Sequence, residues 1–168
     1  GALYDRRKGI EQVLDAITQL SKAACQKVCL LLVGQLGDGP ENFLQARIQE
    51  LRKNHAVQVI ICNGFVPDEE VSLCFQVTDI VFAHYQRHVG MSGILVHAAA
   101  AQKPLIASNY GLLGELVSRL QLGITVDTTV SAEIAMAMDQ CVQCPAETIG
   151  NRQDMLAFAR QNSALNFA

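Results

Sequence analysis

Five short apolar runs recur along the chain, and polar or turn-forming residues separate them. Within each run almost every residue is apolar, which is typical of parallel strands that are covered on both faces. The predicted strands are residues 28–33, 57–62, 79–83, 104–108 and 123–126. The pattern therefore predicts a buried parallel sheet.

Helical periodicity fills the stretches between these runs. Ile10, Val13, Leu14, Ile17 and Leu20 recur at the spacing of one helix face. The same periodicity predicts further helices around residues 44–53, from residue 67 onward, and over 112–120, 132–142 and 146–160. Acidic residues in the first turn after residue 67 and basic residues at 52 and 53 in a last turn support two of them.

Strands that alternate with helices indicate βαβ units with right-handed crossovers. We therefore expect an α/β fold, a Rossmann-like parallel sheet with helices on both faces. No repeat, low-complexity linker or boundary divides residues 1–168, so a single domain is expected. The first predicted helix, near Lys8, has no strand before it, and this gap predicts a further element on its N-terminal side.

Composition narrows the classes of function. The 168 residues are 50% hydrophobic and 17% charged, as in globular proteins. The net charge of -3 implies no basic face, so nucleic acid is not an expected partner. No apolar run reaches the ~18 residues of a membrane span, and the start of the chain lacks a secretory signal pattern. The six cysteines lie mostly in apolar surroundings, which predicts reduced, buried thiols and a cytoplasmic location.

The CVQC pair, Cys141 and Cys144, has the spacing of a redox or zinc motif. A zinc site needs a second pair or matching histidines, and none follows. A thioredoxin-type pair opens a helix, whereas this pair closes a predicted helix before Pro145. A metal or redox role is therefore not favoured.

Ligands bind open α/β sheets at the loops after the strands. VGQLGDGP, residues 33–40, has the strand, loop and helix context of a dinucleotide site. Leu36 and Asn42 occupy the positions where the two registers of GxGxxG need glycine, so NAD binding is not favoured. A flexible loop beside a ligand is the simpler interpretation.

HVGMSGILV is a stronger candidate for a ligand site. The backbone N–H groups of Gly90, Ser92 and Gly93 are placed to face an anion at the start of the Ala98-rich helix, where the helix dipole favours phosphate or diphosphate. The alternative is an ordinary turn in which Ser92 caps the helix. A serine nucleophile is not favoured, because Ile94 stands at the last glycine of G-x-S-x-G.

Three histidines, His84, His88 and His97, surround this loop. They lack the acidic or cysteine companions of most metal sites, so no metal is expected. Loop histidines are more often solvated or hydrogen-bonded.

Several segments resemble, in order, the blocks of one protein family. GALYDRRKGIEQVLDAI is similar to its opening G-R-…-K-G segment, and LLLVGQLGDGP to its second strand and loop. NGFVPDEEVSLCFQVTDIVFAHY resembles its G-x-V-x-x-x-E-L…A-D-V…P-S block, and KPLIASNYGLLGELV and LGITVD resemble its K-P-V-I-A-S…G-G…E-x-V and G-x-x-V stretches. The chain thus resembles, nearly end to end, the C-terminal, nucleotide-sugar-binding half of a retaining glycosyltransferase of the GT-B fold (group 1, family 4-like).

The resemblance implies roles for particular residues. The family's phosphate-binding lysine matches Lys8, but its partner arginine falls on Ala2, so that charge has to come from Arg6 or Arg7. Val66 matches a backbone position near the nucleobase. Glu115 matches the glutamate of the G-x-x-E-x-V stretch.

The family's Glu-x7-Glu hallmark is replaced here. Val89 matches the glutamate that meets the donor sugar, and His97 matches the one that holds the ribose hydroxyls. Gly90, Met91 and Ser92 keep the loop that, by the resemblance, faces the diphosphate. A carboxylate makes charge-assisted contacts worth roughly 1.5–3 kcal/mol each. An uncharged imidazole accepts one hydrogen bond and donates another, whereas valine offers none.

The resemblance implies a hexosyltransferase whose donor is a nucleotide-diphosphate sugar, with no other cofactor and no essential metal. The acceptor, a glycan, lipid or small molecule, would bind an N-terminal domain of a longer parent, and the isolated segment would be inactive. A second hypothesis is a degenerate module that binds a nucleotide, glycan or protein without turnover, for which Ala2, Val89 and His97 are the evidence. A third, a small flavodoxin-like or NAD-type domain, is weakened by the failed glycine fingerprint.

Overall fold

Five parallel strands alternate with eight α-helices in the part of the chain that the computed structural model describes, residues 2–37 and 42–162. None of the helices in this part is long and apolar enough to cross a membrane. The strands are β1 (Cys29–Val33), β2 (Gln58–Cys62), β3 (Val81–Ala83), β4 (Leu105–Ser108) and β5 (Gly123–Val126). The helices are α1 (Ile10–Thr18), α2 (Lys22–Cys25), α3 (Asn42–Asn54), α4 (Asp68–Val77), α5 (Gly93–Ala100), α6 (Gly111–Arg119), α7 (Ser131–Gln143) and α8 (Arg152–Gln161). The predicted α/β alternation and all five predicted strands are confirmed.

The strands pair in parallel, as predicted. Among the described residues they form two separate ladders, one of two strands and one of three. β1 pairs with β2, and β4 lies between β3 and β5. Beyond the end of β1, Ala2 forms an isolated parallel bridge with Gln35. The N-terminal segment therefore runs alongside the free edge of β1.

Two hydrophobic clusters pack on opposite faces of β4. Ile106 belongs to the cluster that β4 forms with α1, α3 and α7, whereas Leu105 belongs to the cluster with α5, α6 and α8. The predicted apolar face of α1 lies at the centre of the first cluster, where Val13, Leu14 and Ile17 are almost fully buried. α1 and α3 thus anchor the β1–β2 ladder, and α7 joins it to the rest of the sheet.

The strands differ in how they are covered. β4 is buried at every residue. In β2, Val59 packs into the cluster with α1 and α3, but its neighbour Ile60 is 43% exposed. The prediction that the strands are covered on both faces is therefore right for β4 and wrong for β2, because the described helices cover one face of that ladder.

The predicted helix 146–160 is wrong in its first turns. A short 3-10 turn occupies Ala146–Thr148, and α8 begins only at Arg152. The Asn151 side chain accepts hydrogen bonds from the backbone N–H groups of Gln153 and Asp154, at 3.0 and 3.3 Å. Asparagine favours this capping position over a helix interior, so the helix starts after it.

Candidate functional site

The carboxyl ends of β2 and β3 open onto loops that hold half of the predicted site residues. The loop after β2 spans residues 63–67, and the loop after β3 spans residues 84–92. The turn Arg6–Lys8, which precedes α1, packs on the second of these loops. These three segments define the candidate site.

The turn Arg6–Lys8 is capped by Asp5. The Asp5 carboxylate accepts from the backbone N–H of Arg7 at 3.0 Å and pairs with its guanidinium at 2.8 Å. These hydrogen bonds from Arg7 hold the pKa of the Asp5 carboxyl below its usual value. Arg7, a predicted donor-binding residue, is thus engaged by its own turn, whereas the half-buried Lys8 makes no side-chain hydrogen bond or ion pair with another described residue.

Gly9 allows the Lys8 segment to pack tightly on the loop after β3. Its φ of 63° is left-handed, and a Cβ there would lie 2.7 Å from the carbonyl oxygen of His84. The backbone N–H of Gln86 donates to the carbonyl of Arg7 at 2.7 Å. Lys8 is thereby fixed beside the residues that follow β3.

The loop before α5 carries free backbone donors. The N–H groups of Gly90, Met91 and Ser92 donate no hydrogen bond to any described residue. The Ser92 hydroxyl accepts from the N–H of Ile94 at 3.4 Å and donates to the hydroxyl of Tyr85 at 2.9 Å. Ser92 is therefore the helix cap. The cap does not use the N–H groups of Gly90, Met91 and Ser92, so a helix cap and an anion site are compatible in this loop.

The glycines of this loop are not required by packing. A Cβ added at Gly93 would meet no atom within 4 Å, and one at Gly90 would come no closer than 3.4 Å, to the imidazole of His88. Both positions therefore have room for a Cβ.

Val89 anchors the same loop to α6 through its backbone. The Val89 carbonyl accepts from the N–H of Leu112 at 2.9 Å, while its side chain is 72% exposed. Gly111, with φ at 68°, lies so close that a Cβ would be 2.5 Å from the carbonyl oxygen of His88. The side chain at the predicted sugar-facing position thus projects from a firmly held backbone.

His97 is exposed on α5 and stacks on Phe75 of α4. Their ring centroids are 5.4 Å apart and the ring planes differ by 20°. α4 begins directly after the loop that holds Val66, which is half-buried. His97 therefore packs near the C-terminal end of α4, whereas Val66 precedes its N-terminal end.

The loops after β1 and β2 are tied together. The side-chain oxygen of Asn63 accepts from the N–H of Leu36 at 3.0 Å, and the N–H of Gly64 donates to the carbonyl of Gly34 at 3.4 Å. Phe65, beside Val66, is 83% exposed. Residues 38–40 of the predicted flexible loop VGQLGDGP lie outside the described residues.

Glu115 stands apart from these contacts. It is exposed on α6, and its ion-pair partner is Arg119, 4.0 Å away and one turn further along the helix. In the described structure, Gln86 bonds to the carbonyl of Arg7 and Tyr85 bonds to the hydroxyl of Ser92, and no hydrogen bond brings Glu115 to these segments.

Sequence reasoning missed the environment of His84. The residue is 8% exposed, its ring meets Phe82 edge-on at 5.6 Å, and neither ring nitrogen has a hydrogen-bond partner among the described residues. Burial, and then the charge of Lys8, lower its pKa to about 4, so it is uncharged at neutral pH. The expectation of a solvated or hydrogen-bonded loop histidine is wrong here. The available signal was its position directly after a buried strand.

The cysteines are all free, as predicted, but most are not buried. Cys25 is buried, whereas Cys29, Cys62 and Cys144 are exposed, so the prediction of buried thiols is wrong for these three. Burial, with a smaller effect of Cys144, raises the pKa of the Cys141 thiol to about 11, which makes it a poor nucleophile at neutral pH. Among residues 2–37 and 42–162, no three potential ligand side chains gather as a metal cluster would require.

Residues 1–144 match the protein family described as glycosyl transferases group 1. The chain belongs to this family. The motif resemblance is thus confirmed at the level of the family.

Individual relatives agree with this assignment. The uncharacterized glycosyltransferase MJ1069 of Methanocaldococcus jannaschii is 27% identical over 143 residues, which are 85% of this chain and 35% of that protein. The crystal structure of Anabaena Alr3699/HepE in complex with UDP has a TM-score of 0.75 at 20% identity, covering 96% of this chain and 42% of that one. The crystal structure of WaaG, a glycosyltransferase involved in lipopolysaccharide biosynthesis, has a TM-score of 0.66 at 17% identity, with 98% and 42% covered.

These structural likenesses confirm the predicted fold class, an α/β fold with parallel strands and flanking helices, as in the corresponding part of GT-B glycosyltransferases. The chain spans about a third of the curated relative and less than half of either solved protein.

Proposed function

We propose that this chain is the donor-binding half of a glycosyltransferase that moves a sugar, with retention, from a nucleotide-sugar to an acceptor. The observation that carries the proposal is the set of three free N–H groups, on Gly90, Met91 and Ser92, at the sheet edge that also holds Lys8. Unpaired backbone donors at a helix start and a nearby ammonium group form a site for a diphosphate.

These groups suit the chemistry of transfer. The bond between the anomeric carbon and the diphosphate oxygen breaks, and its electron pair leaves with the diphosphate, on which negative charge builds up. The acceptor oxygen bonds to that carbon, and its proton passes to an oxygen of the leaving diphosphate. Lys8 and the three N–H groups would stabilise that charge, which is usually the largest contribution to catalysis of this kind. The proposal requires neither a metal nor a further cofactor.

The donor proposed for testing is a uridine diphosphate sugar. Alr3699/HepE, whose fold this chain shares, is crystallised with UDP and with UDP-glucose. In this chain, Val66 and the exposed Phe65 would lie beside the base.

The acceptor-binding part belongs, in this proposal, to a longer parent protein. The 35–42% coverage of the relatives leaves room in them for a second domain. The acceptor would be a glycan, a lipid or a small molecule held by that N-terminal domain, and turnover would need both halves.

Two side chains favour a second candidate function, a donor-binding module without turnover. Val89 projects into solvent at the predicted sugar-facing position and has no polar group to offer. His97, at the predicted ribose position, is stacked on Phe75, which restricts the directions its ring nitrogens take.

Calorimetric titration with UDP and UDP-glucose, and with the corresponding GDP and ADP compounds, tests the donor site. Absence of binding by every nucleotide would contradict both candidate functions. His97→Glu would strengthen UDP binding about tenfold if the ribose lies there, since a carboxylate accepts two hydroxyl bonds. An unchanged affinity would indicate a vestigial site.

His55→Glu is the matched control, because His55 lies after α3, away from the candidate site, and this variant adds the same charge. A sugar-transfer assay on the full-length parent then separates an enzyme from a binding module.

A further inference from the structure

His84 lies in contact with the segment that carries Lys8. Its carbonyl packs against Gly9, and it accepts a hydrogen bond at 3.2 Å from the side-chain amide of Gln86, which also donates to the carbonyl of Thr128 at 2.9 Å. The imidazole itself is more than nine-tenths buried and makes no hydrogen bond through either nitrogen to a described residue. A buried polar group without a partner is costly unless another molecule or state supplies one.

The segments that pack on the loop of His84 carry further charged groups. Arg7 and Lys8 precede α1, Arg87 follows in the same loop as His84, and Asp127 follows β5. Arg7 is paired with Asp5, and the hydrogen bonds of Thr129 lower the pKa of Asp127, which also lies in the field of Arg87. Lys8 is the charged residue whose field acts on His84, and that field disfavours the protonated imidazole.

We propose that His84 takes up a proton when an anion binds beside Lys8, so that anion binding at this edge strengthens as the pH falls. The inference rests on the proposed function, since the anion in question is the diphosphate of the donor. An anion there offsets the positive field of Lys8 and adds a negative field of its own, and both effects favour the imidazolium.

The sign of the effect follows from proton linkage. In the free protein His84 holds its proton only below a pKa of about 4, whereas an unperturbed histidine does so below 6.5. Because the bound state has the higher pKa, binding takes up a proton, and affinity increases as the pH falls from the pKa of the bound state toward about 4. His84 is therefore a positioning residue that senses the ligand through the charge beside Lys8.

NMR titration of the four histidines in the whole chain tests the inference directly. Their pKa values are measured free, with saturating UDP, and with inorganic pyrophosphate. We expect His84 to titrate near 4 when free and to rise by about one unit or more with either probe. His55, away from the site, is the internal control and should not change.

Assignment does not depend on altering His84. The exposed or half-buried histidines are replaced singly, in His55→Gln, His88→Gln and His97→Gln, and the remaining signal belongs to His84. If the anions bind and the pKa of His84 stays the same, this inference is wrong while the proposed function survives. If neither probe shifts any signal of the protein, the proposed function fails, and the inference fails with it.

Discussion

His84 shows how one buried side chain makes the stability of the molecule depend on pH. Its pKa is about 4 in the fold and 6.5 as a free histidine, so the unfolded chain binds the extra proton between these values. Stability is then complete above 6.5 and falls as the pH drops toward 4, by about 3 kcal/mol in all. Urea unfolding at a series of pH values measures this loss.

His84→Leu is the variant that isolates the contribution of His84. It removes the titrating group and both unpaired nitrogens while keeping a similar volume, so its stability at neutral pH should match or exceed that of the original chain. Other groups titrate equally in both proteins. Parallel stability curves for the two proteins between pH 4 and 6.5 would contradict the assignment of a buried, neutral His84.

The loop after β3 is held against the start of α6 by the hydrogen bond from Leu112 to Val89. This contact orients the backbone N–H groups of the residues that follow Val89. We expect Gly111→Ala to cost about 2 kcal/mol of unfolding free energy, since it combines a left-handed φ with a Cβ only 2.5 Å from the carbonyl oxygen of His88. Urea denaturation measures it. Gly93→Ala is the matched control at another helix start, where a Cβ meets nothing within 4 Å.

Gly93→Ala should be neutral or stabilise by up to about 1 kcal/mol, because alanine is the better helix former. An equal effect of the two substitutions would show that the loop is not held against α6 in the way described. A loss of UDP binding in Gly111→Ala, measured under conditions where the variant is folded, would connect the contact to the site.

The elements that were predicted well are those that local periodicity determines. The apolar spacing from Ile10 to Leu20 predicts the buried face of α1, and the apolar runs predict all five strands. The predictions fail where contacts with other residues, and not the local periodicity, determine the structure. Ile60 is exposed because the described helices cover only the other face of β2, and the helix expected from residue 146 starts later because Asn151 caps it.

The site could be predicted to the level of its loops but not of its hydrogen bonds. Gly90 and Ser92 indicate an anion site from the sequence, and the family resemblance adds Lys8. The engagement of Arg7 by Asp5, the stacking of His97 on Phe75 and the burial of His84 depend on neighbours that sequence spacing does not reveal. The roles carried over for Val66 and Glu115 stay predictions.

At the level of the whole molecule, the family relationship and the position of the candidate site at the carboxyl ends of the strands both support nucleotide binding. The chain belongs to the group 1 glycosyl transferases, and the loops that hold Val66 and residues 90–92 follow the carboxyl ends of two of its strands, with the segment of Lys8 packed on the second loop. In open α/β folds that edge is where ligands bind. The central claim is therefore that the free N–H groups of this loop hold a nucleoside diphosphate.

Titration of the ¹⁵N-labelled chain with UDP, followed by amide NMR, tests that claim most directly. The account predicts saturable shifts of the amide signals of Gly90, Met91 and Ser92, as each N–H gains an anionic acceptor, and about tenfold weaker binding in Lys8→Ala but not in the control Lys53→Ala on α3. UDP that fails to bind, or that saturates the protein while these three amides stay unchanged, would contradict it.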